Sequence, residues 1–155
     1  MIGYPLVKLL HVLSAIIAVG FNLSYVVWLV KGKMEKDNLL FALKGIKLMD
    51  DRIANPCYIF SLLTGLLLAW MGGYNILTTG WIFYPLVLFA IMGVVGFGLY
   101  SPTLAKQIAI LKEQGSNSLA YAAIDRKQTI LGVILFSLAL AIVAIMVMKP
   151  ALPAF

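Results

Sequence analysis

The sequence is poor in charge. Asp, Glu, Lys and Arg make up 12% of its 155 residues, about half of what a soluble domain carries. It has one cysteine, Cys57, and one histidine, His11. The lone cysteine excludes an intrachain disulfide and any paired-cysteine metal motif. The lone histidine excludes bis-histidine ligation within one chain. No long apolar run contains a carboxylate, which argues against an intramembrane proton relay or cation site of the usual kind. There is no phosphate loop, no HExxH and no nucleophile elbow. Gly93, Gly96 and Gly98 in "GVVGFG" follow no strand, so they are a helix-packing feature rather than a dinucleotide fingerprint.

What is present is apolar: 63% of the residues are hydrophobic and the mean hydropathy is +1.01. Four stretches are each near the ~20 residues that span a bilayer. They cover about 5–30, 56–72, 82–101 and 130–148. The expected fold is therefore all-α, an integral membrane four-helix bundle running antiparallel, up-down-up-down. A single transmembrane domain fills residues 1–155. Asn55-Pro56 reads as a helix start, Gly72-Gly73 as a stop, and Lys149-Pro150 as the close of the fourth span. Trp81 to Tyr84 form an aromatic interface anchor. Ser101-Pro102 weakens or kinks the third helix, and residues 103–114 read as its continuation. The first run is far longer than the core of a cleavable signal, and its positive cluster follows it rather than preceding it.

The net charge of +6 reports orientation and not nucleic-acid affinity. Lys31, Lys33, Lys36, Lys44, Lys47 and Arg52 crowd the first loop, and Lys106, Lys112, Arg126 and Lys127 the third, while "GGYNILTTG" between them has no charge. The positive-inside rule predicts a multi-pass protein of the bacterial inner membrane with both termini outside the cytoplasm. Leu39, Ala42, Leu43, Ile46 and Met49 recur at helical spacing, so about 37–50 reads as an amphipathic helix on the inner membrane surface. Asp51-Arg52 before the second span and Asp125-Arg126 before the fourth form a faint internal echo, which ordinary interfacial charges explain as well.

The first run, "YPLVKLLHVLSAIIAVGFNLSYVVWLV", carries a polar stripe. Tyr4, Lys8, His11, Ala15, Ala18, Asn22 and Tyr25 follow one another at steps of three or four and so share one helix face. Polar groups in a bilayer turn inward, and small residues between them admit a neighbouring helix or a flat ligand. His11 has two readings: a metal or haem ligand, or an interfacial histidine bonded to the next helix. Lys8 and Lys149 lie at the outer side, where they neutralise haem propionates or simply snorkel. Met71 and Met146, at roughly the depth of His11, are thioether candidates for a second axial position; the alternative for both is packing against lipid or protein.

"KLLHVLSAIIAVGF", the second-helix stretch "NPCYIFSLLTGLLLAW" and the closing "VMKP" together resemble a group of small four-span bacterial membrane proteins. The group includes the HemJ-type protoporphyrinogen oxidase, the copper-resistance-D-like proteins and an uncharacterised branch of predicted integral membrane proteins. The resemblance covers all four spans and implies haem b bound by His11 with Lys8 as a partner. The oxidase-like third helix opens Trp-Leu-His-Val-Lys-Leu; here "WIFYPLVLFAIMG" keeps Trp81 but neither the histidine nor the lysine. The chain therefore stands nearer the uncharacterised branch. Three functions are expected in descending order: a membrane haem protein oxidising a porphyrinogen or quinol, a non-catalytic scaffold or subunit, and a small transporter or metal-handling protein. The expected partners are the lipid bilayer and a second copy or other membrane subunits, with no nucleic acid.

Overall fold

A computed structural model describes residues 3–151 and 153, so the ends of the 1–155 domain lie outside the described residues. Those residues form helices and turns with no strand among them, in the order α1 (Gly3–Met34), α2 (Leu39–Met49), α3 (Asn55–Met71), α4 (Gly80–Val95), α5 (Ser101–Gln114) and α6 (Leu119–Met148). Four continuous helical rods result, Gly3–Met34, Lys36–Met71, Gly80–Gln114 and Leu119–Met148, each long and apolar enough to cross a membrane. The rods alternate in direction, as the four apolar runs predict. One end of the bundle carries the basic turns near residues 35 and 115; the other carries the described ends of the chain and the 72–79 loop.

Two rods run straight through prolines that the sequence marks as breaks. Asn55 does not cap a helix start: Ala54 and Asn55 are both right-handed helical, and no side chain caps there. A π-turn at Asp50–Ala54 joins α2 to α3, and another at Gly96–Tyr100 joins α4 to α5. Each ends two residues before a proline, Pro56 or Pro102. Proline lacks an N–H and its ring presses on the carbonyl four residues back. In both rods that carbonyl lies inside the widened turn, so the wider turn is the local solution that keeps the helix going.

This continuity changes the role of residues 37–50. The amphipathic helix forms, but its apolar face does not lie on a lipid surface: Leu39, Ala42, Leu43 and Ile46 are buried, with α2 packed against α1 and α5. Leu39, Leu43 and Ile46 join Tyr25, Ala54, Tyr100, Leu104, Tyr121, Ile124 and Leu131 in the hydrophobic core. That core sits toward the basic end, where the rods extend past the apolar runs. Burying apolar surface is driven by water and has no drive in hydrocarbon. Toward the termini end the rods instead associate in two pairs, α1 with α3 and α4 with α6. Buried small residues make the first pair close: Ser14 and Ala18 on α1, and Ser61, Thr64 and Ala69 on α3.

Gly72-Gly73 does stop the second rod. Gly73 takes positive φ, Tyr74 N–H bonds the Ala69 carbonyl at 3.0 Å, and Gly73 N–H bonds that of Trp70 at 3.1 Å, a Schellman ending. The following loop turns back on an aromatic contact, Tyr74 against Trp81 at 5.3 Å between centroids. The Asp-Arg echo has no matching contacts. Asp51 pairs with Lys47 of its own rod, whereas Asp125 binds Lys33 of α1 at 2.8 Å and Gln107 of α5 at 3.0 Å.

Candidate functional site

His11 lies on α1 where that helix faces α3. A glycine opposite gives the ring its room: a Cβ on Gly65 would stand 3.0 Å from His11 Cε1 and 3.4 Å from Nδ1. His11 Nδ1 is 2.9 Å from the main-chain carbonyl of Ser61. A carbonyl only accepts, so Nδ1 carries the proton and donates it. The Thr64 hydroxyl is 3.3 Å from the same nitrogen and donates its own hydrogen to the Phe60 carbonyl at 2.8 Å. The tautomer is thereby set, and Nε2 holds a lone pair with no hydrogen-bond partner among the described residues. Donation from one ring nitrogen to a carbonyl, with the other left bare, is how metal-ligating imidazoles are oriented. The same bond also ties α1 to α3, as the structural reading of His11 requires.

The other candidates are spread out. Lys8 is exposed one turn nearer the termini end, on the His11 side of α1. Met71 approaches Gly3: its terminal methyl would be 3.7 Å from a Cβ there, eight positions or about 12 Å along α1 from His11. Met146 and Lys149 belong to the other helix pair, and the Lys149 ammonium stands 4.6 Å from the Trp81 ring centroid. Lys149 takes the left-handed conformation that closes α6. The structure therefore brings together His11, Ser61, Thr64 and Gly65, with Lys8 adjacent; it sets Met71 beside Gly3 and Lys149 over Trp81, and Met146 lies on α6. Two surface grooves, one beside Trp28 and Phe41 and one beside Tyr84 and Ile145, do not reach His11. Nε2 of the imidazole is of the donor type that holds a haem iron.

Asn22 and Tyr25 continue the α1 stripe but serve another place. Asn22 donates to the Tyr58 hydroxyl, and Tyr25 is buried in the core, both more than ten residues from His11 toward the basic end. Sequence reasoning missed Ser61 and Thr64, whose part is played by one carbonyl and one hydroxyl. It also missed Asp50, which is 6% exposed inside the second rod and not in a loop.

Gly65→Ala tests the orientation of His11 directly. The new methyl would press on Cε1, an atom of a ring already held by its Nδ1 bond. The affinity for any metal group held by Nε2 is expected to fall about 10- to 100-fold, the usual effect of disturbing a ligand's support, with helical content unchanged by circular dichroism. An affinity equal to wild type would show that the ring position does not matter to the bound group.

One comparison with known proteins identifies a family. A family model described as a predicted integral membrane protein, DUF2269, matches residues 5–150. No curated protein and no solved structure matches the chain.

Proposed function

The chain belongs to this family of predicted integral membrane proteins, and on that footing we propose that it binds haem b through His11 Nε2 and serves a redox role in the bacterial inner membrane. One observation carries the reading: the Ser61 carbonyl fixes the His11 proton on Nδ1 and leaves Nε2 free. The ring lies between α1 and α3, with Lys8 placed one turn away to meet a propionate. Haem held there would take His11 as its ligand from α1. Haem bound there would supply a one-electron Fe(III)/Fe(II) couple. The resemblance to the HemJ-type oxidase supports a porphyrinogen or a quinol as the reductant. The polypeptide's own part is to hold the imidazole in one tautomer and one orientation.

An absorption spectrum of the detergent-purified protein, oxidised and then dithionite-reduced, tests this. A Soret band that shifts on reduction supports it. A colourless protein from cells supplied with haem precursor sinks it. The second reading, a non-catalytic membrane scaffold or subunit, then leads, because the same Nδ1 bond would be a helix-to-helix tie and nothing more.

The charge distribution supports a basic end in the cytoplasm and both termini outside. Single cysteines placed in a Cys57→Ser background should report it. Thr78→Cys, in the uncharged loop, is expected to react with a membrane-impermeant maleimide in intact cells, and Asn117→Cys only after lysis. The reverse pattern would invert the orientation.

A further inference from the structure

Five segments bring oxygen-bearing side chains together near the basic end, far from His11. They are Tyr25 of α1, Asp50 and Asn55 around the first π-turn, Tyr58 of α3, Tyr100 of the second π-turn and Gln128 of α6. Tyr25, Tyr100 and Ala54 of the first π-turn belong to one buried cluster; the first π-turn packs on α1 and the second on α6. Four of these side chains are more than nine-tenths buried: Tyr25 is 4% exposed, Asp50 6%, Tyr100 7% and Gln128 3%.

The cluster is not self-sufficient. Tyr25 Oη is buried with no hydrogen-bond partner among the described residues, and the buried Gln128 carboxamide has no neighbour but the Tyr100 hydroxyl to bond to. Asp50 accepts one bond, from Asn55 Nδ2 at 3.3 Å. The cation nearest to it, Lys47, is engaged elsewhere: its ammonium holds Asp51 Oδ2 at 2.6 Å and Ser101 Oγ at 3.0 Å. A buried carboxylate is ordinarily paired, and buried polar groups ordinarily bonded. Both π-turns border the cluster, Asp50 opening the first and Tyr100 closing the second.

We propose that Asp50, Tyr25, Tyr100 and Gln128 form a binding site for a small alkali cation of the Na⁺ type. The charge count selects the ion. Asp50 offers one carboxylate with no ion pair of its own, and the described residues hold no group of three or more His, Cys, Asp or Glu side chains. Divalent cations call for more carboxylates, and transition metals for nitrogen or sulfur ligands. Hydroxyl and amide oxygens around one carboxylate suit a hard monovalent ion. The site is independent of the haem reading, since it shares no residue with His11 and its neighbours.

The test is thermal unfolding of the full chain in detergent, followed by tryptophan fluorescence, in NaCl against choline chloride at equal ionic strength. A ligand of the folded state raises Tm with its concentration. The Tm of the wild type is expected to climb with the logarithm of Na⁺ concentration, and the dialysed protein to retain radioactive sodium. In Asp50→Asn the Na⁺ response should weaken at least about tenfold in midpoint, while Tm in choline rises, because an unpaired buried charge is gone. Tyr25→Phe should weaken the response without lowering Tm in choline. Equal Tm values in Na⁺, K⁺ and choline would overturn the site and leave ordered water as its occupant. A wild-type Tm that follows pH but not Na⁺ would overturn it in favour of a proton. A lower Tm of Asp50→Asn in choline, with the Na⁺ response intact, would make Asp50 a structural residue.

Discussion

His11→Ala is expected to give a folded protein without a Soret band. The imidazole is the chain's one histidine ligand for iron, and the Met71 methyl lies beside Gly3, about two turns away along α1. Haem retention should fall at least about a hundredfold, the upper end of what disturbing a mere supporting group costs. Folding should be affected far less. The Ser61 carbonyl keeps the Thr64 hydroxyl within 3.1 Å after the imidazole is gone, so the cost is near one hydrogen bond, about 1 kcal/mol, plus the volume lost between α1 and α3. Thr64→Val is the matched control. It removes a 3.3 Å contact to Nδ1 but leaves the 2.9 Å bond to Ser61, and its spectrum should stay close to wild type. A His11→Ala protein that kept the band would place the haem elsewhere.

Gly32→Ala is expected to lower Tm in detergent by several degrees, and Gly20→Ala to leave it equal or higher. A Cβ at position 32 would stand 2.8 Å from the Ala42 Cβ and 3.2 Å from the Leu39 Cα. Neither atom can swing away, because one is backbone and the other is fixed to it. α1 and α2 would have to separate where Leu39 and Leu43 enter the core, and overpacking of this kind costs about 1–3 kcal/mol. A Cβ at position 20 meets nothing within 4 Å, so there only helix propensity changes, in favour of alanine by up to about 1 kcal/mol. Equal shifts for the two variants would mean that α1 and α2 do not approach closely in the protein.

The four spans were legible because length and hydropathy alone define them, and the end of the second because two adjacent glycines permit a Schellman turn. The joins at Pro56 and Pro102 were not. Proline signals a helix start or stop in any local reading, and a π-turn that lets a helix pass it has no residue signature of its own. That misreading hid Asp50. With a break at Asn55-Pro56, Asp50 is the last residue of a surface helix, beside the interfacial charges Asp51 and Arg52. With the helix carried through, Leu39, Leu43, Ile46, Asp50 and Ala54 step by four, three, four and four, and the carboxylate falls on the buried stripe. At the candidate site, His11 and Gly65 could be picked out by residue type. The Ser61 carbonyl that orients the ring could not, since every residue has one and only the helix pairing selects it.

The placement of the core at one end makes the molecule mechanically uneven. The two helix pairs share a packed base near the basic end. Beyond it α3 and α4, though consecutive, make no substantial contact among the described residues. A base with two long arms is a lever. At about 1.5 Å per residue, twenty residues beyond the base make an arm of about 30 Å, so a rotation of about 10° at the base displaces the far end by about 5 Å. A change of a few tenths of an ångström around the π-turns is thus multiplied at the far end, while the His11 to Ser61 bond, lying within one arm, travels with it unbroken.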